Sequence, residues 1–312
     1  MLKSLIYLFP FLLITPAIWA QKSSKKDDLK FEQIFLDPED QMHMHYLIIY
    51  PKTESYKGYV LLFPGFGEYP AQVVQETQLP IDLANAGYLT IIPTLQNGSL
   101  SFGVDSASVA TIHQIHQDVL SKNKLTNTPL ILGGFSIGGS AAVKFAQQEN
   151  IHPSALFAID PPLDFERYYQ SAERFNRISL HPNQENNYVI GRLNEFTGGS
   201  PATHQQAYYA LSPYSYSDAN QTAVRATPNI PIRFYTEPDI LWWMKERSSD
   251  YTQMNSIDCA AMINELNLMG NTKAQLIVTQ NKGVRKSTQI KHPHAWSLID
   301  SKELISWLNQ IK

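Results

Sequence analysis

Cysteine is nearly absent from this chain, because Cys259 is the only one among 312 residues. No disulfide can therefore form within the chain, and its stability must come from a hydrophobic core. A lone cysteine also argues against a thiol nucleophile and against a zinc site built on cysteines. Cys259 lies in a segment with helical spacing, residues 256–263, so we expect a buried structural thiol.

An excess of basic charge and phosphate-binding motifs are missing as well. The formal net charge is -3 and the pI is near 6.3, so the charge gives no reason to expect nucleic acid as a partner. No G-x-G-x-x-G follows the first predicted strand, and G-x-x-x-x-G-K-[ST] occurs nowhere. This disfavours a nucleotide-binding protein. We expect no cofactor and no metal.

The apolar run near the N-terminus is short for a transmembrane helix and is interrupted by proline. Lys3 precedes an apolar region over Leu5–Ile14, and Ala20 suits the position before a cleavage site. These features predict a signal peptide over residues 1–20, followed by a mobile leader over 21–30. We therefore expect an exported protein, periplasmic or secreted, with no membrane span after cleavage. An uncleaved membrane anchor is the alternative.

A glycine–serine motif lies near the middle of the chain. An apolar run leads into Gly134-x-Ser136-x-Gly138, and helix-forming residues follow over 141–146. This order predicts a strand, a sharp turn and a helix, with the serine at the tip of the turn. Because the turn strains the serine backbone, the residues two before and two after it must be nearly without side chains. The motif predicts that Ser136 is a nucleophile and that the amide of Ile137 faces a developing oxyanion.

Buried-type strands alternate with helical segments along the rest of the chain. The predicted strands are 31–36, 43–50, 59–63, 88–92, 129–132, 155–159, 232–235 and 274–278. The predicted helices are 72–86, 106–120, 141–146, 254–268 and 302–311. This alternation predicts an α/β fold with a mostly parallel sheet and helices on both faces. The polar, tyrosine-rich stretch at about 164–227 is too long for a structureless loop, so we expect it to contain helices that form a lid.

These features together resemble the α/β-hydrolase family over nearly all of residues 30–312. The resemblance implies an eight-stranded, mostly parallel sheet, with nucleophile, acid and histidine in that order along the chain. The hydrolase domain would span residues 31–312, with the lid inserted at about 164–227. The resemblance is specific to the superfamily and much less so to any one activity.

The resemblance also indicates where the acid and the histidine should lie. It places the acid after the strand at 232–235, where Asp239 is favoured and Glu237 is the close rival. Asp160, after the preceding strand, is a position that some members use. The histidine is expected between the last strand and the last helix, where His294 is preferred over His292 because a tryptophan follows two residues later. The acid would accept a hydrogen bond from the imidazole Nδ1, and the imidazole would take the serine proton.

A second oxyanion donor is expected in the loop after the third strand. The segment Pro64-Gly65-Phe66-Gly67 resembles the family's His-Gly-x segment, with Pro64 where histidine is common. By that match the Phe66 amide is the donor. Trp242 and Trp243 follow the expected acid and are candidates for the substrate pocket, with core or lid packing as the alternative.

The resemblance thus implies an exported, cofactor-independent hydrolase of a small-molecule ester or acyl substrate. Ser136, Asp239 and His294 would form the catalytic triad, and the amides of Phe66 and Ile137 the oxyanion hole. A peptidase, an amidase or an acyltransferase on the same triad is an alternative. A catalytically silent hydrolase-fold protein used for binding is another.

Overall fold

The computed structural model describes residues 29–178 and 184–311. The predicted signal peptide and all but the last two residues of the predicted leader lie outside these ranges. Eight strands form one sheet in the order β1-β2-β4-β3-β5-β6-β7-β8. The strands are β1 Lys30–Phe35, β2 His45–Tyr50, β3 Gly58–Phe63, β4 Tyr88–Thr94, β5 Leu130–Phe135, β6 Ala155–Ile159, β7 Ile232–Thr236 and β8 Ala274–Val278. Strand β2 is antiparallel to β1 and β4, and the other neighbours pair in parallel, as predicted.

Helices follow most of the strands. They are α1 Pro70–Glu76, α2 Leu79–Asn85, α3 Ser106–Asn123, α4 Ile137–Ala146, α5 Phe165–Ile178, α6 Gln184–Thr197, α7 Pro201–Leu211, α8 Thr222–Arg225, α9 Ile240–Arg247, α10 Asn255–Leu268 and α11 Ser301–Leu308. The single helix predicted over 72–86 is instead two helices. The chain is extended at Thr77, and Pro80 in the first turn of α2 has no amide hydrogen to continue a helix.

The helices cover both faces of the sheet, as the alternation predicted. Because side chains alternate along a strand, Leu61 packs on one face and Leu62 on the other. The first face packs against α3, α4 and α10, and the second against α1, α2 and α11. The lone cysteine, Cys259, is buried in the first of these two cores, as expected.

The chain between β6 and β7 folds into helices α5 to α8. Side chains of α5, α6 and α7 form a third apolar cluster together with Phe102 and Ile137. Because Ile137 is the first residue of α4, this cluster lies beside the turn after β5. Across residues 29–178 and 184–311, no helix has the length and apolar character needed to cross a membrane.

Candidate active site

Ser136 occupies the sharp turn between β5 and α4 that the motif predicts. Its backbone has φ 54 and ψ -127, which side-chain-bearing residues rarely adopt. A Cβ at Gly134 would collide with the backbone of Gly138, so the turn requires glycine there. The Ser136 amide donates a hydrogen bond of 2.8 Å to the carbonyl oxygen of Ile159, at the end of β6. The turn thus holds a half-buried serine at the carboxyl ends of β5 and β6.

Asp160 and His294 form a hydrogen-bonded pair beside this turn. Asp160 directly follows β6, is buried, and has a positive φ of 47. His294 Nδ1 lies 2.7 Å from Asp160 Oδ2, and the His294 ring lies 4.7 Å from the ring of Phe135, the residue before Ser136. A hydrogen bond from Nδ1–H to the carboxylate leaves Nε2 as the basic nitrogen of the imidazole. The pair therefore has the form of a base held in one tautomer by an acid.

The prediction of Asp239 as the partner of His294 is wrong, because Asp160 makes that hydrogen bond in the structure. Asp239 lies at the start of α9, where it accepts a hydrogen bond from the Trp242 amide and forms an ion pair of 2.6 Å with Lys291. That lysine holds the pKa of Asp239 below its usual range, since the carboxylate is stabilised in its charged form. A charge already paired and capping a helix is not available to orient His294.

The other two rivals also have structural partners. Glu237 is buried and accepts hydrogen bonds from the amides of Lys282 and Gly283, so it holds the loop after β8. His292 Nδ1 accepts the amide hydrogen of His294 at 3.2 Å. Burial, and then the nearby charge of Arg285, lowers the pKa of His292 to about 3. His292 thus supports the loop that carries His294.

The expected oxyanion donors lie on two segments that touch. A Cβ at Gly138, in the first turn of α4, would collide with the carbonyl oxygens of Phe63 and Pro64. This close approach brings the start of α4 against the loop that contains Phe66. Within residues 29–178 and 184–311, the amides of Phe66 and Ile137 donate no hydrogen bond. Two unpaired amides on adjoining segments beside Ser136 are suited to bind an oxyanion.

Glu68, which no sequence motif indicated, connects these loops. One carboxylate oxygen accepts the Gly65 amide at 2.9 Å and the indole Nε1–H of Trp296 at 3.1 Å. Glu68 therefore ties the oxyanion loop to the segment two residues after His294. Burial raises the pKa of Glu68, against the effect of these hydrogen bonds. The sequence signal that could have indicated Glu68 is its position directly after the glycine-rich turn at residues 64–67.

The two tryptophans lie near His294, with His292 between. Their rings are 5.1 Å apart in an edge-to-face arrangement. His292 packs against both, at 5.0 Å from Trp242 and 5.8 Å from Trp243. Both are half-buried rather than part of a core. Among the residues that the structure describes, no group of three His, Cys, Asp or Glu could hold a metal ion.

Solved structures of hydrolases share this architecture. A lipase in its open form aligns with a TM-score of 0.54 and 12% identity, over 86% of this chain and 94% of its own. An esterase from Pyrococcus furiosus aligns with a TM-score of 0.54 and 12% identity, over 91% of both chains. An acylaminoacyl peptidase from Pyrococcus horikoshii aligns with a TM-score of 0.55 and 10% identity; this chain covers 42% of its length.

Comparisons of sequence add nothing to these likenesses. No protein-family model matches the chain. No curated protein matches it either. The sheet order and the similar structures together show that this chain has the α/β-hydrolase fold, as its sequence predicted.

Proposed function

We propose that the protein is a serine hydrolase that cleaves a carboxylic ester through an acyl-enzyme on Ser136. The observation that supports this most is the 2.7 Å hydrogen bond between His294 and Asp160, beside a strained, half-buried serine. Similar structures described as a lipase and an esterase agree with the proposal. The sequence of residues 1–20 favours export, so we infer a periplasmic or secreted enzyme whose mature chain begins near Gln21.

In the proposed reaction, Ser136 Oγ gives its proton to His294 Nε2 and attacks the ester carbonyl carbon. The bond to the alcohol oxygen then breaks, the alcohol leaves with the proton from His294, and the acyl group remains on Ser136. Water then attacks the acyl carbon while giving a proton to His294, the bond between that carbon and Ser136 Oγ breaks, His294 returns the proton to Oγ, and the carboxylic acid is released. Asp160 keeps the proton on Nδ1 and stabilises the imidazolium that forms. The reaction needs no cofactor.

Negative charge on the carbonyl oxygen would be stabilised by the amides of Phe66 and Ile137. Their side chains belong to the aromatic cluster under α5 to α7. The Phe66 ring lies 6.0 Å from Phe102 and 5.5 Å from Tyr188 on α6. We therefore propose that α5 to α7 act as a lid and that this cluster receives the acyl group. Trp242 and Trp243 would border the opposite side of the site.

Turnover of soluble p-nitrophenyl esters of increasing chain length tests this proposal, with a matching p-nitroanilide to report amide cleavage. We expect ester hydrolysis by the wild type and a loss of about 10⁴-fold or more in kcat for Ser136→Ala. Ser121→Ala, which changes an exposed serine on α3, should keep full activity. Preference for the anilide would indicate an amidase. Absence of turnover by folded protein would favour a silent scaffold.

A further inference from the structure

Helix α9 exposes part of its apolar surface to water. Five of its eight residues are apolar, yet none of the eight is buried. Leu241 is 76% exposed and Met244 57% exposed. Apolar side chains clustered on a surface usually mark an interaction site, because their exposure to water is unfavourable.

A second segment, the loop after β8, extends this surface. Val284 and Lys291 pair across the loop, and Ile290 beside them is 64% exposed. Lys291 is bound to Asp239 at the start of α9, so the loop and the helix are joined. We call residues 240–249 and 281–292 together the entrance surface.

The entrance surface borders directly on the candidate site. His292, its last residue, packs against both tryptophans of α9. The same side chain accepts the amide hydrogen of His294 at 3.2 Å. Anything that binds the entrance surface is therefore held next to the base.

The net charge of the entrance surface is positive, whereas that of the whole chain is negative. Its two segments contain six of the 25 lysines and arginines but one of the 28 acidic residues, whereas the chain has a net charge of -3. Lys245 pairs with Glu246, and Lys291 pairs with Asp239. The other four cations form no ion pair with a described carboxylate: Arg247, Lys282, Arg285 and Lys286.

We propose that the entrance surface docks on an anionic lipid bilayer. Apolar side chains and tryptophans interleaved with lysine and arginine match the bilayer interface, where acyl chains lie below negative headgroups. The docking is peripheral and requires no membrane-spanning segment. This inference rests on the proposed function: docking would present Ser136 and His294 to esters held in the bilayer.

Sedimentation with lipid vesicles tests the docking. We expect the protein to bind vesicles of phosphatidylcholine mixed with phosphatidylglycerol, to bind pure phosphatidylcholine vesicles much less, and to be released by salt. Leu241→Ser should weaken binding about tenfold. Lys286→Gln should weaken it about fivefold, the effect of one charge near the headgroups.

Two matched variants serve as controls near the amino ends of the parallel strands, whereas the entrance surface follows the carboxyl ends of β7 and β8. Leu268 is 74% exposed, close to the 76% of Leu241, and it ends the helix that precedes β8. Lys52 is exposed and follows β2. Leu268→Ser and Lys52→Gln should leave vesicle binding unchanged. Equal losses in the controls would overturn the proposal.

Hydrolysis of a soluble short-chain ester, measured on the same samples, separates this inference from the proposed function. We expect Leu241→Ser and Lys286→Gln to hydrolyse the soluble ester as the wild type does. If the protein hydrolyses the soluble ester but does not bind vesicles, the docking is overturned and the proposed function stands. The docking is also overturned if light scattering shows a dimer and the dimer binds no vesicles. Equal binding to both vesicle types would also overturn it. If the protein binds vesicles but does not hydrolyse the soluble ester, the proposed function is overturned.

Discussion

Two non-glycine residues adopt strained backbone conformations at the ends of neighbouring strands. Ser136 after β5 has φ 54, and Asp160 after β6 has φ 47. Such conformations cost on the order of 1–3 kcal/mol each. Here they place a hydroxyl and a carboxylate at the carboxyl ends of neighbouring strands, beside the loop that carries His294.

The choice of acid can be tested with a matched pair of variants. Asp160→Asn should lower kcat for a soluble ester by about 10³–10⁴-fold, because the amide no longer fixes the proton on His294 Nδ1. Asparagine tolerates positive φ, so the turn should persist. Asp239→Asn should change kcat less than about threefold, since asparagine also caps a helix and the exposed ion pair with Lys291 contributes little. The reverse ranking would assign the acid to Asp239.

The sequence could predict some of these residues and not others, for a physical reason. Ser136 is signalled by its own neighbours, because the turn demands glycines at fixed positions. His294 is signalled by its place between the last strand and the last helix. The acid has no such local signature. Asp160 and Asp239 both follow buried strands, and only the path of the histidine loop across the sheet brings one of them within 2.7 Å of His294.

At the scale of elements, the inner strands β3 to β6 follow from runs of apolar residues, because strands covered on both faces need them. Helix α9 was not predicted, since none of its apolar residues is buried and they show no amphipathic spacing. The split between α1 and α2 depends on one proline within a continuous helical pattern. The inner strands were thus predictable from burial, whereas an exposed helix and a break within a helical pattern were missed.

Helix α3 packs on the sheet through a histidine that is held neutral. His116 is buried, and its Nε2 lies 2.8 Å from the hydroxyl oxygen of Tyr59 on β3. Burial, and then the charge of His113, lowers the pKa of His116 from 6.5 to about 4. A base whose pKa is lowered by folding contributes stability above pH 6.5 and loses it as the pH falls toward 4.

Urea unfolding at pH 7 and pH 4.5 measures this contribution. The wild type should lose up to about 3 kcal/mol through His116 as the pH falls. The loss in the free energy of unfolding should be smaller for His116→Gln by about 3 kcal/mol, because glutamine has no group to protonate. His152→Gln, at an exposed histidine, should follow the wild type. Parallel pH profiles for wild type and His116→Gln would contradict the assignment.

At the scale of the whole molecule, a buried ion pair joins the helical insertion to α10, which packs on the sheet. Arg167 on α5 binds both carboxylate oxygens of Asp258 on α10. Asp258 also accepts the amides of Leu163 and Asp164, the segment just after the candidate acid. The same contacts therefore position the proposed lid and the chain that leaves Asp160.

Breaking this pair should destabilise the protein strongly. Asp258→Asn leaves the Arg167 charge buried without its partner, so we expect a loss of about 3 kcal/mol or more in the free energy of unfolding. Asp250→Asn breaks a pair with Arg174 whose side chains are 42% and 39% exposed, and should cost about 1 kcal/mol or less. Urea unfolding of both variants measures the difference. Equal losses would show that burial does not distinguish the two pairs.

The proposed reaction requires Ser136 to be an activated nucleophile. A fluorophosphonate probe reacts with such a serine, and mass spectrometry locates the adduct. We predict a single adduct on Ser136 in the folded wild type, none in Ser136→Ala, and slower labelling in Asp160→Asn. A folded wild type that remains unlabelled, or an adduct that persists in Ser136→Ala, would contradict the account.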